Sequence, residues 1–286
     1  MTSCGGPTLI LLLMFVAPLA AQTKTIDWIP TRFVEGGEPV RLEAVIYRPD
    51  GEGPFPTLLF NHGSTGNGRD TTLFRQTAEF ATIARYFTER GWLVVVPQRR
   101  GRGKSGGRYG EGVRYDGTGY TCNVDTTLAG FEHALADLDE VVRYLAARPD
   151  VDTARMLIGG QSRGGILSVG YAGTRPGRFD GVINFVGGWM SDRCPNPAAI
   201  NTATFRRGAA SGVPTLWLYG EGDPFYGLEH SRSNFDAFVA AGGDGEWWQV
   251  APAAGTNGHQ IIRTPALWAE AVAGLMAKVE ARRRGR

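Results

Sequence analysis

Cysteine is scarce in this chain. Three in 286 residues are too few for a disulfide-built scaffold or a Cys-rich zinc module. An excess of one charge is also lacking. Thirty Lys and Arg stand against 28 Asp and Glu, a net charge of +2, which removes the bulk electrostatic case for nucleic acid or an acidic partner. Lysine is nearly absent, with Lys24, Lys104 and Lys278 alone; the arginine bias fits genomic base composition, and no function is drawn from it. Histidine occurs four times, and no His/Cys/Asp cluster has ligand spacing, so no metal is expected. No Pro- or Ser-rich linker and no internal repeat divides the chain. Glycine, by contrast, is abundant at 41 residues, which implies many tight turns or close backbone approaches. Hydrophobic content of 42% and charged content of 20% exclude a disordered chain. The length suits one large α/β domain or two small ones, with a substantial core.

An unbroken apolar run, Leu9 to Val16, is followed by Ala17-Pro18-Leu19-Ala20-Ala21 and then polar Gln22, Thr23 and Lys24. Residues 1–21 therefore read as a signal peptide removed on export, leaving 22–286 as the mature domain in the periplasm or secreted. The run is short for a transmembrane helix, so no stable membrane span is expected after cleavage. Residues 1–7 carry no Lys or Arg, which keeps a retained anchor or a misread start open. Cys4 leaves with the leader. Cys122 and Cys194 remain in an oxidising compartment, and a disulfide between them is expected, the alternative being two unrelated buried thiols. A loop of that length stabilises by about 4 kcal/mol when closed, in the chain-entropy treatment.

Short β-rich runs recur at 41–47, 57–60, 92–96, 156–159, 182–186, 215–219 and 246–250. Most are continuous and apolar, as suits central strands covered on both faces. Helical spacing marks 72–90, 127–147, 228–241 and 265–284, the last with Pro265 in its first turn. Strands alternating with helices indicate a mostly parallel, doubly wound sheet flanked by helices. The segment 189–212 is too short for a large lid domain. The long Gly-rich stretch 101–123 is a candidate functional loop.

Gly160-Gln161-Ser162-Arg163-Gly164 is a G-x-S-x-G pattern between a strand and a helical stretch. A nucleophilic serine at such a junction sits on a strained turn, with glycines leaving room on either side and the Oγ raised at the positive end of a helix. The plainer reading is a tight turn whose serine caps the helix. Serine needs a base to act at neutral pH. His133 and His230 fall inside helical patterns, and His62 in Asn61-His62-Gly63-Ser64 reads as a residue that shapes its loop. His259, in the polar loop between the last strand and the last helix, is the candidate base. Asp223, in the turn after the 215–219 strand, is the candidate orienting acid; Glu221 is its local competitor and Asp192 a weaker one. The order Ser162, Asp223, His259 is nucleophile, acid, base. An oxyanion would need donors: the N–H of Arg163 and, from the loop after the 57–60 strand, that of Ser64, with Thr65 as a neighbouring option.

Asn61-His62-Gly63-Ser64, Arg100-Gly101-Arg102-Gly103-Lys104-Ser105, the Ser162 elbow, the Gly220–Asp223 turn and Asn257-Gly258-His259 together resemble an α/β-hydrolase. The resemblance is to the dienelactone-hydrolase-like and prolyl-oligopeptidase-like group and spans nearly all of residues 22–286. It implies a cofactor-free serine hydrolase. True dienelactone hydrolases carry a Cys nucleophile, so Ser162 favours ordinary ester or peptide-type acyl transfer. The resemblance also accounts for Gly101 to Gly106, which matches G-x-G-x-x-G but lacks the helix a dinucleotide site needs. Gly103-Lys104-Ser105 lacks the P-loop glycine at Gln98.

Arg163 reads either as a substrate-carboxylate ligand or, preferably, as a salt bridge stiffening the elbow. Tyr109, Tyr115, Tyr120, Trp189 and Phe225 lie on segments expected near the rim. Of these Tyr120, Trp189 and Phe225, with Thr65, are candidate substrate contacts. The Arg282-Arg283-Arg284 tail reads as a solvated helix end. The expected function is hydrolysis of a small carboxylic ester. A peptidase or acyltransferase of the same fold is one alternative and a non-catalytic binding protein another; monomer or dimer is left open.

Overall fold

A computed structural model describes residue 1 and residues 22–285; the expected signal peptide therefore falls almost wholly outside the described residues. The chain opens with strands β1 (Thr23–Glu35) and β2 (Glu38–Arg48), joined at Gly36 and Gly37. Both glycines take positive φ, 61° and 85°, as a two-residue hairpin turn requires. Then follow β3 (Phe55–Asn61), α1 (Ala81–Thr88), β4 (Leu93–Pro97), the short β5 (Val113–Arg114) and β6 (Gly119–Tyr120), and α2 (Val124–Ala146). The second half runs β7 (Val151–Gln161), α3 (Arg163–Thr174), β8 (Gly181–Phe185), α4 (Asn201–Gly208), β9 (Thr215–Gly220), α5 (Leu228–Ala240), β10 (Gly245–Val250) and α6 (Ala269–Arg284).

Eight strands form one sheet in the order β1-β2-β4-β3-β7-β8-β9-β10. Pairings β1–β2 and β2–β4 are antiparallel, and all others are parallel. The expected mostly parallel sheet flanked by helices is what forms. Period-two alternation assigns the faces. Trp217 and Tyr219 of β9 point to one face, where Phe205 of α4 and Phe235 and Phe238 of α5 meet the Trp217 ring at 4.4–5.3 Å. Phe185 of β8 points to the other, edge-on to Trp268 at 5.5 Å, and Trp268 meets Tyr86 of α1. β4, β8 and β9 are buried along their whole length, which is why they read as continuous apolar runs. No helix among the described residues is long and apolar enough to cross a membrane.

The expected helix over 72–90 is interrupted. A single 3-10 turn, Thr71–Arg75, is capped by Asp70, and α1 begins only at Ala81. Between them the backbone is claimed by tertiary partners. The buried Gln98 carboxamide accepts the Ala78 N–H and donates to the Ala78 carbonyl, both at 2.9 Å, and Thr77 donates to buried Glu43. Those bonds replace a helical ladder. The last expected helix, 265–284, likewise starts as a 3-10 turn, Pro265–Leu267, and breaks at Trp268, whose ring is buried in the core.

Candidate active site

The loops at the carboxyl ends of β3, β4, β7, β8, β9 and β10 converge above one edge of the sheet, where open α/β sheets place their ligands. At the end of β7 the chain turns sharply into α3 at Ser162, with φ 57° and ψ −123°, a strained conformation for a non-glycine residue. The flanking glycines are required by contact. A Cβ on Gly164 would lie 2.0 Å from the Asn61 carbonyl oxygen, and one on Gly160 2.4 Å from the Gly164 carbonyl. The turn is held by Ser162 N–H to Phe185 O at 2.9 Å and Gly165 N–H to Ser162 O at 2.9 Å.

His259 enters from the loop after β10. Gly258 permits this, since a Cβ there would lie 2.2 Å from Gly220 O at the end of β9. Asn257 caps the following 3-10 turn by accepting the His259 N–H at 3.0 Å. His259 Nδ1 lies 2.8 Å from Asp223 Oδ2, so the ring donates from Nδ1 and leaves Nε2 as the basic nitrogen. The other oxygen, Oδ1, accepts the N–H groups of Phe225 (2.8 Å) and Tyr226 (3.1 Å), which fixes the carboxylate. Phe225 packs edge-on to the imidazole with centroids 4.7 Å apart. The competing acids lie elsewhere: Glu221 accepts from Gln249 at 3.2 Å, and Asp192 accepts the Gly227 N–H at 2.7 Å.

His62 is buried, and its tautomer follows from its partners. Nε2 accepts the Arg99 N–H at 3.1 Å, so Nδ1 carries the proton and donates to Gly63 O at 2.8 Å. Burial first, then the Arg99 and Arg102 charges, push its pKa well below the usual imidazole value. His62 therefore stays neutral and shapes the loop, as expected. His230 accepts from Asn201 and Asn234, and His133 sits on α2 beneath Gly110; burial lowers the pKa of both.

Gly63 approaches the elbow closely: a Cβ there would meet Ser162 Cβ at 3.0 Å. The Gly63–Ser64 peptide carries two donors on its carbonyl, His62 Nδ1 and Arg102 Nη1 (3.0 Å), while its N–H, on Ser64, has no hydrogen-bond acceptor among the described residues. Donation to the carbonyl end of a peptide polarises its N–H. The Thr65 N–H is directed at Tyr120 Oη at 3.4 Å, and Thr65 stands outside the cavity lining. The Arg163 N–H opens α3, where no helical carbonyl precedes it.

The Arg163 side chain is buried. It donates to the carbonyls of Glu111 (2.6 Å) and Trp189 (3.1 Å), and its guanidinium lies 3.8 Å from the Tyr120 ring centroid and 4.8 Å from that of Trp189. Glu111 is ion-paired with Arg99 through Nε and Nη2 and accepts the Tyr109 hydroxyl at 2.8 Å. Burial alone would raise the Glu111 carboxyl, but Arg99, Arg163 and Arg102 outweigh it and hold the pKa below the usual value. Arg163 thus stiffens the elbow, through carbonyls and rings more than through the 3.9 Å ion pair to Glu111.

These groups border a cavity of about 480 Å³ whose lining includes Ser64, Ser162, Arg163, Trp189, Phe225 and His259. Tyr120 and the Cys122–Cys194 disulfide line it too, the bridge having a Cα–Cα distance of 5.5 Å. The disulfide ties the segment before α2 to the loop after β8. The sequence reading missed Tyr226, which lines the cavity and donates to Gly188 O at 2.7 Å, and the Arg99–Glu111–Arg102 cluster. Only position three residues after Asp223 hinted at Tyr226; nothing local marked Glu111.

A profile of the family described as X-Pro dipeptidyl-peptidase (S15 family) matches residues 36–210. That span contains Ser162 and the loop of Ser64 and ends before Asp223 and His259. No curated protein matches the chain. Among solved structures, a Klebsiella pneumoniae protein provisionally described as a dienelactone hydrolase is 21% identical, with TM-score 0.56, covering 91% of this chain and 98% of that one. The ferulic-acid-bound Est1E of Butyrivibrio proteoclasticus is 15% identical, with TM-score 0.63 and coverage of 89% and 99%. Acetyl xylan esterase 1 of a Thermoanaerobacterium species is 17% identical, with TM-score 0.55 and coverage of 90% and 88%. At such identities the likeness establishes the α/β-hydrolase fold.

Proposed function

The chain belongs to the X-Pro dipeptidyl-peptidase (S15) family, and from that premise we propose that it is a serine hydrolase cleaving carboxylic esters through an acyl-enzyme. Ser162 Oγ attacks the acyl carbonyl while His259 Nε2 takes its proton. Asp223 holds the ring by Nδ1 and stabilises the imidazolium that forms. The oxyanion is met by the N–H groups of Ser64 and Arg163. Collapse expels the alcohol, protonated by His259, and the same histidine then activates water against the acyl-enzyme. The observation that carries this reading is the 2.8 Å His259–Asp223 bond at a cavity that also holds Ser162 on its strained elbow.

The family description favours a second reading, a dipeptidyl peptidase. Such a substrate presents an N-terminal ammonium, which needs a carboxylate partner when it is desolvated. The described lining residues include no Asp or Glu, which supports the ester reading. Parallel assays of p-nitrophenyl butyrate and Ala-Pro-p-nitroanilide test the choice. Turnover of the ester that vanishes in Ser162→Ala, with little or none of the anilide, is expected; Ser162-dependent cleavage of the anilide alone would overturn it. The disulfide at the cavity supports reading the protein as exported.

A further inference from the structure

The steps assigned to Ser162, His259 and Asp223 make no use of Tyr226. The residue is 5% exposed and borders the cavity, and it is tied to the elements that carry the other three. Its N–H donates to Asp223 Oδ1 at 3.1 Å, and its hydroxyl donates to Gly188 O at 2.7 Å. The Gly188 N–H in turn donates to Ser162 O at 3.3 Å. A Cβ on Gly188 would fall 2.3 Å from the Tyr226 ring, so the ring lies directly on that backbone, which fixes where the hydroxyl points.

A phenol has one hydrogen to give. The Gly188 carbonyl can only accept, so it takes that hydrogen and leaves Tyr226 Oη as an acceptor. The oxygen is turned on the reacting group. Burial pushes the phenol above its usual pKa range, opposed by the Arg163 charge and by a hydrogen bond from the Ser162 side chain. The phenol therefore stays neutral, and its oxygen accepts from Ser162 in the free protein. The Tyr226 and His259 ring centroids are 6.0 Å apart, a separation that one water can bridge.

Acylation removes the Ser162 hydrogen, and with it the bond to Tyr226. Deacylation then brings in water, which has two hydrogens. One goes to His259 Nε2, and the other needs an acceptor. Pro224 and Phe225, beside His259, are apolar, and both nitrogens of His62 are engaged. Gln161, whose amide donates to His259 O at 2.7 Å, is a rival acceptor. We propose that Tyr226 Oη accepts the second hydrogen of the deacylating water and so directs its oxygen at the acyl carbonyl. As that oxygen bonds to the acyl carbon, one O–H bond breaks and its proton passes to Nε2. The bond from the acyl carbon to Ser162 Oγ then breaks, and the same proton returns to Oγ. The hydrogen held by Tyr226 leaves on the carboxylic acid. This rests on the acyl-enzyme reading above and deepens it. Tyr226 selects water over an alcohol as acyl acceptor, since an alcohol has no second hydrogen to offer it.

Product partition tests it on the folded mature protein. With p-nitrophenyl butyrate as donor and methanol as competing acceptor, the ratio of methyl butyrate to butyrate reads the second step alone. Methanol gives its single O–H to His259, so only hydrolysis loses a bond in Tyr226→Phe. The ratio is expected to rise about 3–10-fold in that variant, as the loss of one neutral hydrogen bond allows. Loss of the Gly188 contact acts on both acceptors alike and cancels in the ratio, so a merely structural role leaves it unmoved. If Tyr226→Phe does not melt cooperatively, Tyr226→Leu takes its place with the same expected rise. No rise in a folded variant that still labels with fluorophosphonate at Ser162 overturns the proposal and leaves the hydrolase reading standing. A rise in Gln161→Met with none in Tyr226→Phe assigns the water to Gln161 and overturns it equally. Absence of any Ser162-dependent ester turnover in the wild type removes both readings.

Discussion

Replacing His62 with glutamine isolates the role of the Gly63–Ser64 peptide. In the folded protein His62 donates to Gly63 O at 2.8 Å and accepts the Arg99 N–H at 3.1 Å. A glutamine cannot hold both bonds at the imidazole spacing. Leaving a buried N–H unsatisfied costs about 1–3 kcal/mol, which for a domain of this size lowers Tm by roughly 2–10 °C. The catalytic effect is separate. If the Ser64 N–H is an oxyanion donor, its complete loss costs about 10²–10³ in kcat; here Arg102 still holds the same carbonyl, so a fall of about 10–100-fold is expected, with KM for a neutral ester little changed. His62 is neutral in wild type, so the acid limb of the kcat/KM profile is expected to stay where it is. Steady-state kinetics from pH 5 to 9, with thermal melts beside them, check both. A variant that melts lower but keeps wild-type kcat would refute the assignment of this peptide to the oxyanion. A shifted acid limb would refute the neutrality of His62.

Gly164→Ala is expected to lose more than about 3 kcal/mol of stability or to misfold, because the new Cβ would stand 2.0 Å from Asn61 O, a backbone atom that cannot move aside; a urea transition within about 0.5 kcal/mol of wild type contradicts the elbow packing. The Cys122–Cys194 loop spans 72 residues, so reduction is expected to lower stability by about 4 kcal/mol and to loosen the cavity wall; a thiol count on the unreduced mature protein must find none. Stability is expected to fall as pH drops below about 6.5, because unfolded histidines bind protons there while buried His62, His133 and His230, with lowered pKa values, bind fewer. Below about pH 6 the effect is partly offset by Asp137, whose carboxyl burial raises to about 6 and which takes up a proton in the fold first. Melts at pH 8, 7 and 6.2 check the sign, and a flat Tm across them contradicts it.

The sequence made visible those elements whose local pattern and tertiary setting agree. β4, β8 and β9 are buried on both faces and are continuous apolar runs. β1 escaped because it is an edge strand in which Ile29 alone is buried, so no continuous apolar run marks it; only the Gly36-Gly37 turn signalled it. The 72–90 helix was misread because Gln98 and Glu43, distant in sequence, claim the backbone and side chains at 77 and 78. The turns that carry Ser162, Asp223 and His259, the residues of the proposed triad, were legible because neighbouring glycines and strand ends define them. Tyr226 and the Arg99–Glu111–Arg102 cluster were not, since Tyr226 meets Gly188 on the loop after β8 and Glu111 meets Arg99 only when the irregular loop after β4 folds back on itself, and no local pattern encodes either contact.

The central claim is that Ser162 is a nucleophile activated by His259. A fluorophosphonate label on the mature protein, located by peptide mass spectrometry, tests it most directly. The account predicts one phosphonyl adduct, on Ser162, absent in Ser162→Ala and slowed by orders of magnitude in His259→Ala but not in His133→Ala or His230→Ala. An adduct on another residue, or labelling at the wild-type rate in His259→Ala, would contradict it.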